Sequence, residues 1–115
     1  MNKIKLIVNN EAKRNEREKF FIKKELQSIL NLYAKMVSNG SWKDYSFTSG
    51  IKEVSFNIYQ RASEKPVLRI LKNFKPNHFN EKYIIKDKNG TILKKSENLN
   101  QLISKTSWNK LKLVK

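Results

Sequence analysis

Three patterns in the chain predict an α+β domain with a long N-terminal helix, a four-stranded antiparallel meander and a C-terminal helix. An apolar stripe runs from Phe20 to Val37 at three- and four-residue spacing. A strictly alternating segment follows, with Val54, Phe56 and Ile58 opposed to Glu53, Ser55, Asn57 and Tyr59. Further on, Asn89-Gly90 marks a turn between two short apolar runs. A helix, then strands separated by turn signals, then a helix is the order of a meander covered by helices.

The helix is expected from about residue 18 to 38, on Phe20, Phe21, Ile22, Leu26, Ile29, Leu30, Tyr33, Met36 and Val37. Glu25, Gln27, Lys23, Lys24, Asn31 and Lys35 lie off that stripe. Ser38-Asn39-Gly40 ends the helix, with Asn39 or Gly40 as the left-handed residue of the cap. Residues 41–50 read as a polar connection.

Ile51 to Gln60 reads as a half-buried strand. Ala62 to Pro66 turns the chain, because Pro66 cannot donate to a central ladder, and Val67 to Leu71 returns as an antiparallel partner. Lys75-Pro76-Asn77-His78 breaks it. Tyr83 to Lys95 forms the last hairpin. A two-residue Asn-Gly turn would pair Ile85 with Lys94 and mix the faces. A three-residue loop with Gly90 in the left-handed conformation pairs Ile85 with Leu93 and Tyr83 with Lys95, which keeps apolar partners together. Its reverse face would then carry Lys86 and Lys94 beside Ile84 and Ile92. Ser96 reads as an N-cap with Glu97 in the first turn of a helix through Leu99, Leu102 and Ile103. Trp108, Leu111, Leu113 and Val114 form an amphipathic tail. Residues 1–15 read as a flexible or edge-strand arm, and 16–115 as one domain.

At 115 residues, with 11 Ile, 11 Leu and 12 aromatic residues, the chain is long enough to bury a core. It has no Cys and one His, which leaves out disulfides and thiolate zinc sites and makes a metal site improbable on composition. No segment has the form of a secretion signal or a membrane span, so a cytoplasmic protein with no membrane association is expected. No cofactor is expected. The net charge is +15, and residues 58–115 carry most of the excess. Such a balance points to nucleic acid. Lysine outnumbers arginine 21 to 4, however, and Lys, Asn and Ile make up 46 of the 115 residues, as A- and T-rich codons would produce.

Two clusters flank the alternating strand. In Trp42-Lys43-Asp44-Tyr45, one reading is an anchored turn with Trp42 packed on the helix and Asp44 bonding turn amides. The other uses Trp42 or Tyr45 as a stacking platform beside Lys43. In Arg61-Ala62-Ser63-Glu64, Arg61 is suited to a phosphate or carboxylate, or to pairing with Glu64 or Asp44 while Ser63 closes the turn. If the strand holds its two ends apart, the clusters are far from each other, and only a fold-back of residues 46–52 unites them. A hydrolytic trio of Ser63, His78 and Asp87 lacks any placed motif, and catalysis is the weakest expectation.

Glu25-Leu26, Ile29-Leu30, Leu32-Tyr33, Met36-Val37, Trp42-Lys43-Asp44-Tyr45, Phe56, Ile58, Arg61-Ala62-Ser63-Glu64, Pro66, Arg69-Ile70, Tyr83, Gly90 and Ile92-Leu93-Lys94 together resemble the uncharacterised alphaproteobacterial family known as domain of unknown function 2794. The resemblance covers roughly residues 20–105. It implies a bacterial cytoplasmic protein and brings no established activity or site residue. The functional expectation is therefore a non-enzymatic nucleic-acid or ribonucleoprotein-binding module. Its contacts would be Trp42, Lys43, Tyr45, Arg61, Arg69, Lys86 and Lys94, with Asp44, Ser63, Glu64, Pro66 and Gly90 in turns or pairing. The alternative is a protein-interaction or homodimer module using Ile84, Ile92 or the Trp108 tail. A small-ligand or hydrolytic site at the Trp42 and Arg61 clusters is a third class, and it requires the two to converge.

Overall fold

The computed structural model describes residues 19–61 and 65–108. The expected arm at 1–15, Ser63 and Glu64, and the apolar positions Leu111, Leu113 and Val114 lie outside these residues. The order is helix α1 (Lys23–Ser38), strands β1 (Asp44–Ser49), β2 (Glu53–Tyr59) and β3 (Leu68–Asn73), a single 3-10 turn (Phe79–Glu81), strands β4 (Tyr83–Asp87) and β5 (Ile92–Ser96), and helix α2 (Leu99–Lys105). The five strands form one antiparallel meander in sequence order. The class is the expected α+β, with one strand more than the sequence reading gave it.

The extra strand is β1. Residues 44–49 are not a polar connection but pair in full register with β2, from Asp44 opposite Tyr59 to Ser49 opposite Val54. Tyr45 and Phe47 share the face of Phe56, where their rings meet its ring at 5.2 and 5.3 Å between centroids. Ser46 and Thr48 point the other way, and Asn57 of β2 donates to both hydroxyls, at 3.1 and 2.9 Å. Ser55 donates to the Asn57 carbonyl at 2.8 Å, and Ser46 shares a hydrogen bond with the Tyr59 hydroxyl at 3.1 Å. With its donors and acceptor engaged, Asn57 is buried at little cost, so β2 is covered on both faces rather than half-buried.

Both helices pack on the other face. Ile29, Leu32 and Met36 of α1 join Leu99 and Leu102 of α2 over Val54, Phe56, Ile58, Ile70 and Ile85 in one core. α1 begins at Lys23, a turn later than expected. Its N-cap is Ile22, whose N–H donates to the Glu25 carboxylate at 2.8 Å, the N3 half of a capping box. Its C-terminus is a Schellman motif, with Gly40 N–H on Val37 O and Ser41 N–H on Met36 O, both at 2.9 Å. Gly40, at φ +84°, is the left-handed residue, and Asn39 is not.

The β4–β5 loop has the expected three residues, with Gly90 at φ +84° and the Asp87 carboxylate accepting from the N–H groups of Asn89 and Thr91. The expected register holds only beside the loop, where Lys86 pairs with Ile92. A bulge at Leu93 of β5, opposite the step from Ile85 to Lys86, then shifts it, so Ile85 faces Lys94, Ile84 faces Lys95 and Tyr83 faces Ser96. The expected Ile85–Leu93 and Tyr83–Lys95 pairs do not form. Lys94 consequently shares the helix side of the sheet with Ile85, and Lys95 takes the reverse face. The α2 cap is Asn98, which accepts from Gln101 N–H at 3.0 Å. Ser96 accepts from Asn98 N–H at 3.0 Å instead of capping, so Glu97 precedes the helix.

A Cβ at Gly40 or Gly90 would meet nothing within 4 Å, so only backbone strain opposes alanine there, while Gly50 has ordinary φ and an ordinary nearest contact of 3.6 Å. Gly40→Ala and Gly90→Ala are each expected to lose about 1 kcal/mol in urea denaturation, with Gly50→Ala neutral or slightly stabilising.

Candidate functional site

The β1–β2 hairpin supplies the fold-back that unites the two clusters. Lys43 N–H donates to Tyr59 O at 2.8 Å and Asp44 pairs with Tyr59, so Trp42 to Asp44 and Tyr59 to Arg61 lie at one end of the sheet. Trp42 offers no open face for stacking there. Trp42 is 4% exposed, and its ring meets Tyr33 at 6.1 Å and the edge of Trp108 at 5.7 Å. Trp108 donates its indole N–H to Ile103 O at 2.9 Å and packs against the core, so it is not a free tail. Tyr45 is partly exposed, with its ring edge-on to Tyr33 at 4.8 Å. Burial, then Asp44 and Tyr45, push the Tyr33 phenol up. Asp44 accepts from the next N–H, that of Tyr45, at 2.8 Å. Lys43 and Arg61 are exposed, and Pro66 lies in the β2–β3 turn.

The remaining expected contacts divide between the faces. Arg69 and Lys86 are direct cross-strand partners on the reverse face, beside Asn57. Lys94 lies on the opposite side. Ile84 is 7% exposed and Ile92 48%. His78 precedes β4 and Asp87 ends it, so those two groups sit at opposite ends of a strand spanning roughly 17 Å. The Asp87 carboxylate is also committed to its turn.

A different place gathers charge. At the other end of the sheet, the β1–β2 turn, the β3–β4 connection and the approach to α1 enclose an open cleft of about 1070 Å³. Lys19, Lys52, Lys72, Lys75 and Lys82 line it, against the single carboxylate of Glu53, with Ile51 and Phe74 among the apolar residues. Phe74 N–H on Lys52 O at 3.0 Å clips the turn to the connection, and Asn73 Nδ2 on Glu81 O at 2.7 Å ties the connection back to the end of β3. Lys72 is the inner member. It is 7% exposed, and its Nζ donates to Glu25 Oε1 at 2.8 Å and to Phe20 O at 3.1 Å. The other Glu25 oxygen accepts from the Tyr83 hydroxyl. Burial pushes the Glu25 carboxyl up, but the hydrogen bonds from Lys72, Tyr83 and Ile22 N–H outweigh it, and the group is held below its ordinary range. Burial and then Glu25 push the Tyr83 phenol up, so it remains a donor. Lys72 is thus neutralised, and Lys19, Lys52, Lys75 and Lys82 are the exposed cations of the cleft.

Sequence reasoning missed this cleft. Its lysines come from segments scattered between Lys19 and Lys82, and no local motif joins them. Among the described residues, no group of three or more His, Asp and Glu is placed to hold a metal ion. No described helix is long and apolar enough to cross a membrane.

A family model described as "Protein of unknown function (DUF2794)" matches residues 19–103, which spans the helix, the whole meander and most of α2. The chain belongs to the DUF2794 family. Neither a curated protein nor a solved structure matches it. The match takes in the Glu25–Lys72–Tyr83 group and all five cleft lysines, Lys19 being its first residue.

In this DUF2794 member the Glu25 carboxyl titrates lower in the folded protein than in the unfolded chain. Its stabilisation is therefore complete at neutral pH and is lost as pH falls below the ordinary glutamate value of about 4.3 and through the lower folded one. Glu25→Gln strands the buried Lys72 ammonium and is expected to cost about 3 kcal/mol at neutral pH. Urea denaturation across a pH series should show the wild-type advantage shrinking as pH falls below the ordinary glutamate value. A difference independent of pH would contradict this assignment.

Proposed function

We propose that this protein is a non-enzymatic nucleic-acid-binding module whose principal contact is the lysine-lined cleft between the β1–β2 turn and the β3–β4 connection. The observation that carries the reading is the convergence of four exposed lysines on one concavity that holds a single carboxylate, Glu53. Like charges brought together in one cleft repel one another, and a polyanion relieves that repulsion while releasing its own counterions. Lysines act as point charges on phosphates and read base edges poorly, so the binding is sequence-tolerant. Arg69 and Lys86, two cations directly opposite on the reverse face, offer a second and smaller phosphate contact. A cytoplasmic location accords with this function.

The reading that assigns the surface to a protein partner or a second copy draws less support. The apolar residue Ile84 brings almost no exposed area, and the β5 edge beside Ile92 carries a bulge and Lys94 and Lys95, devices that discourage strand pairing.

Binding to a labelled oligonucleotide is expected to weaken steeply as salt rises. The triple variant Lys52→Gln, Lys75→Gln, Lys82→Gln should weaken it strongly and reduce the slope of log affinity against log salt by about two to three. Arg69→Gln with Lys86→Gln should have a smaller effect. No binding at low salt, or binding indifferent to salt, would overturn the proposal.

A further inference from the structure

We propose that the cleft takes single-stranded nucleic acid in particular, with a base stacked on Phe79. This rests on the nucleic-acid reading of the cleft and deepens it. Phe79 is 72% exposed. Among the described residues it is the aromatic side chain that neither joins the core, nor meets another ring, nor is held by a hydrogen bond. Phe20, Phe21, Tyr33, Phe47 and Phe56 pack together, the two tryptophans pack on each other, Tyr45 meets Tyr33, and Phe74 packs on the core. Tyr59 and Tyr83 are held by hydrogen bonds.

The backbone beneath Phe79 is fixed although its ring is open. Glu81 N–H donates to His78 O at 2.9 Å, and Lys82 N–H to Phe79 O at 3.2 Å. Asn73 holds Glu81 O, and Lys95 pairs with the Glu81 carboxylate at 3.2 Å. That ion pair also offsets an acid which would otherwise repel phosphate beside the ring. The turn lies in the chain between two cleft residues, Asn77 and Lys82, with Lys75 just upstream, so the ring stands on the segment that carries two of the exposed cleft lysines, the Lys82 ammonium itself lying 5.5 Å from the Tyr83 ring centroid. Across the cleft, Ile51 is 83% exposed on the β1–β2 turn and gives the second rim an apolar tip. A presented ring on a lysine-bearing segment is a combination suited to unpaired strands, since every base has a face to stack. A duplex keeps its bases stacked on one another, so it meets the lysines but not Phe79.

The test uses the full chain and fluorescence anisotropy with a mixed-sequence single-stranded DNA of about a dozen nucleotides. The matching duplex and inorganic polyphosphate serve as competitors. Phe79→Ala should weaken single-strand binding roughly tenfold while leaving the salt slope and the competition by polyphosphate unchanged. Phe79→Trp should retain affinity, and its fluorescence should be quenched by the strand. Single-strand binding unaffected by Phe79→Ala, or a duplex bound more tightly than the single strand, overturns the inference and leaves the lysine cleft as a general polyanion site. Failure of every polyanion to bind at low salt removes the underlying reading instead.

Discussion

The contact on which the structure turns is the Glu25 carboxylate, held between the Lys72 ammonium, the Tyr83 hydroxyl and the Ile22 N–H. It ties the start of α1 to β3 and β4, which are themselves joined by the direct pairing of Lys72 with Tyr83. Bringing a carboxylate and an ammonium out of water costs several kcal/mol per ion, and their attraction offsets this only with good geometry and saturated hydrogen bonding. Here the carboxylate accepts three such bonds. The gain is specificity as much as stability. A one-residue slip of β3 would turn Lys72 to the reverse face and bring Leu71 under Glu25, leaving the acid unpaired. The same contact neutralises the innermost lysine of the cleft, so the charge offered to solvent sits on the rim.

The sheet separates two kinds of surface. Its helix side is a dry core of aliphatic and aromatic groups, where Trp42 and Trp108 close one end. Its reverse side is knitted near β1 by Asn57 and the hydroxyls around it, and becomes cationic towards β4 at Arg69 and Lys86. Trp42 therefore belongs to the packing, and the four exposed lysines of the cleft lie at the far end of the same strands. Trp42 and Arg61 are neighbours after all, but their closeness follows from a hairpin and not from a pocket.

The long helix, the alternation in β2, the left-handed Gly90 and the antiparallel meander were legible because each leaves a local period or turn signal. β1 leaves one too, in the alternation of Tyr45 and Phe47 with Ser46 and Thr48, but its polar residues resemble a loop until Asn57 is seen to satisfy them. The Leu93 region was misread because a bulge has no compositional mark, and one extra residue reversed the faces of Lys94 and Lys95. Glu25 and Lys72 were missed for a different reason. Charged side chains are almost never buried unless paired, and the pairing spans α1 and β3, far apart in sequence. The cleft is hidden in the same way, since only the fold brings Lys19, Lys52, Lys75 and Lys82 together.

The claim that this end of the sheet, and not the Trp42 end, carries the function is most directly tested by lysine footprinting. Wild-type protein would be acetylated with and without a saturating single-stranded oligonucleotide, and each site read by mass spectrometry. Protection of Lys52, Lys75 and Lys82, with Lys43 and Lys94 still reactive, is the predicted result. Protection of Lys43 and Lys94 with the cleft lysines unchanged would contradict it.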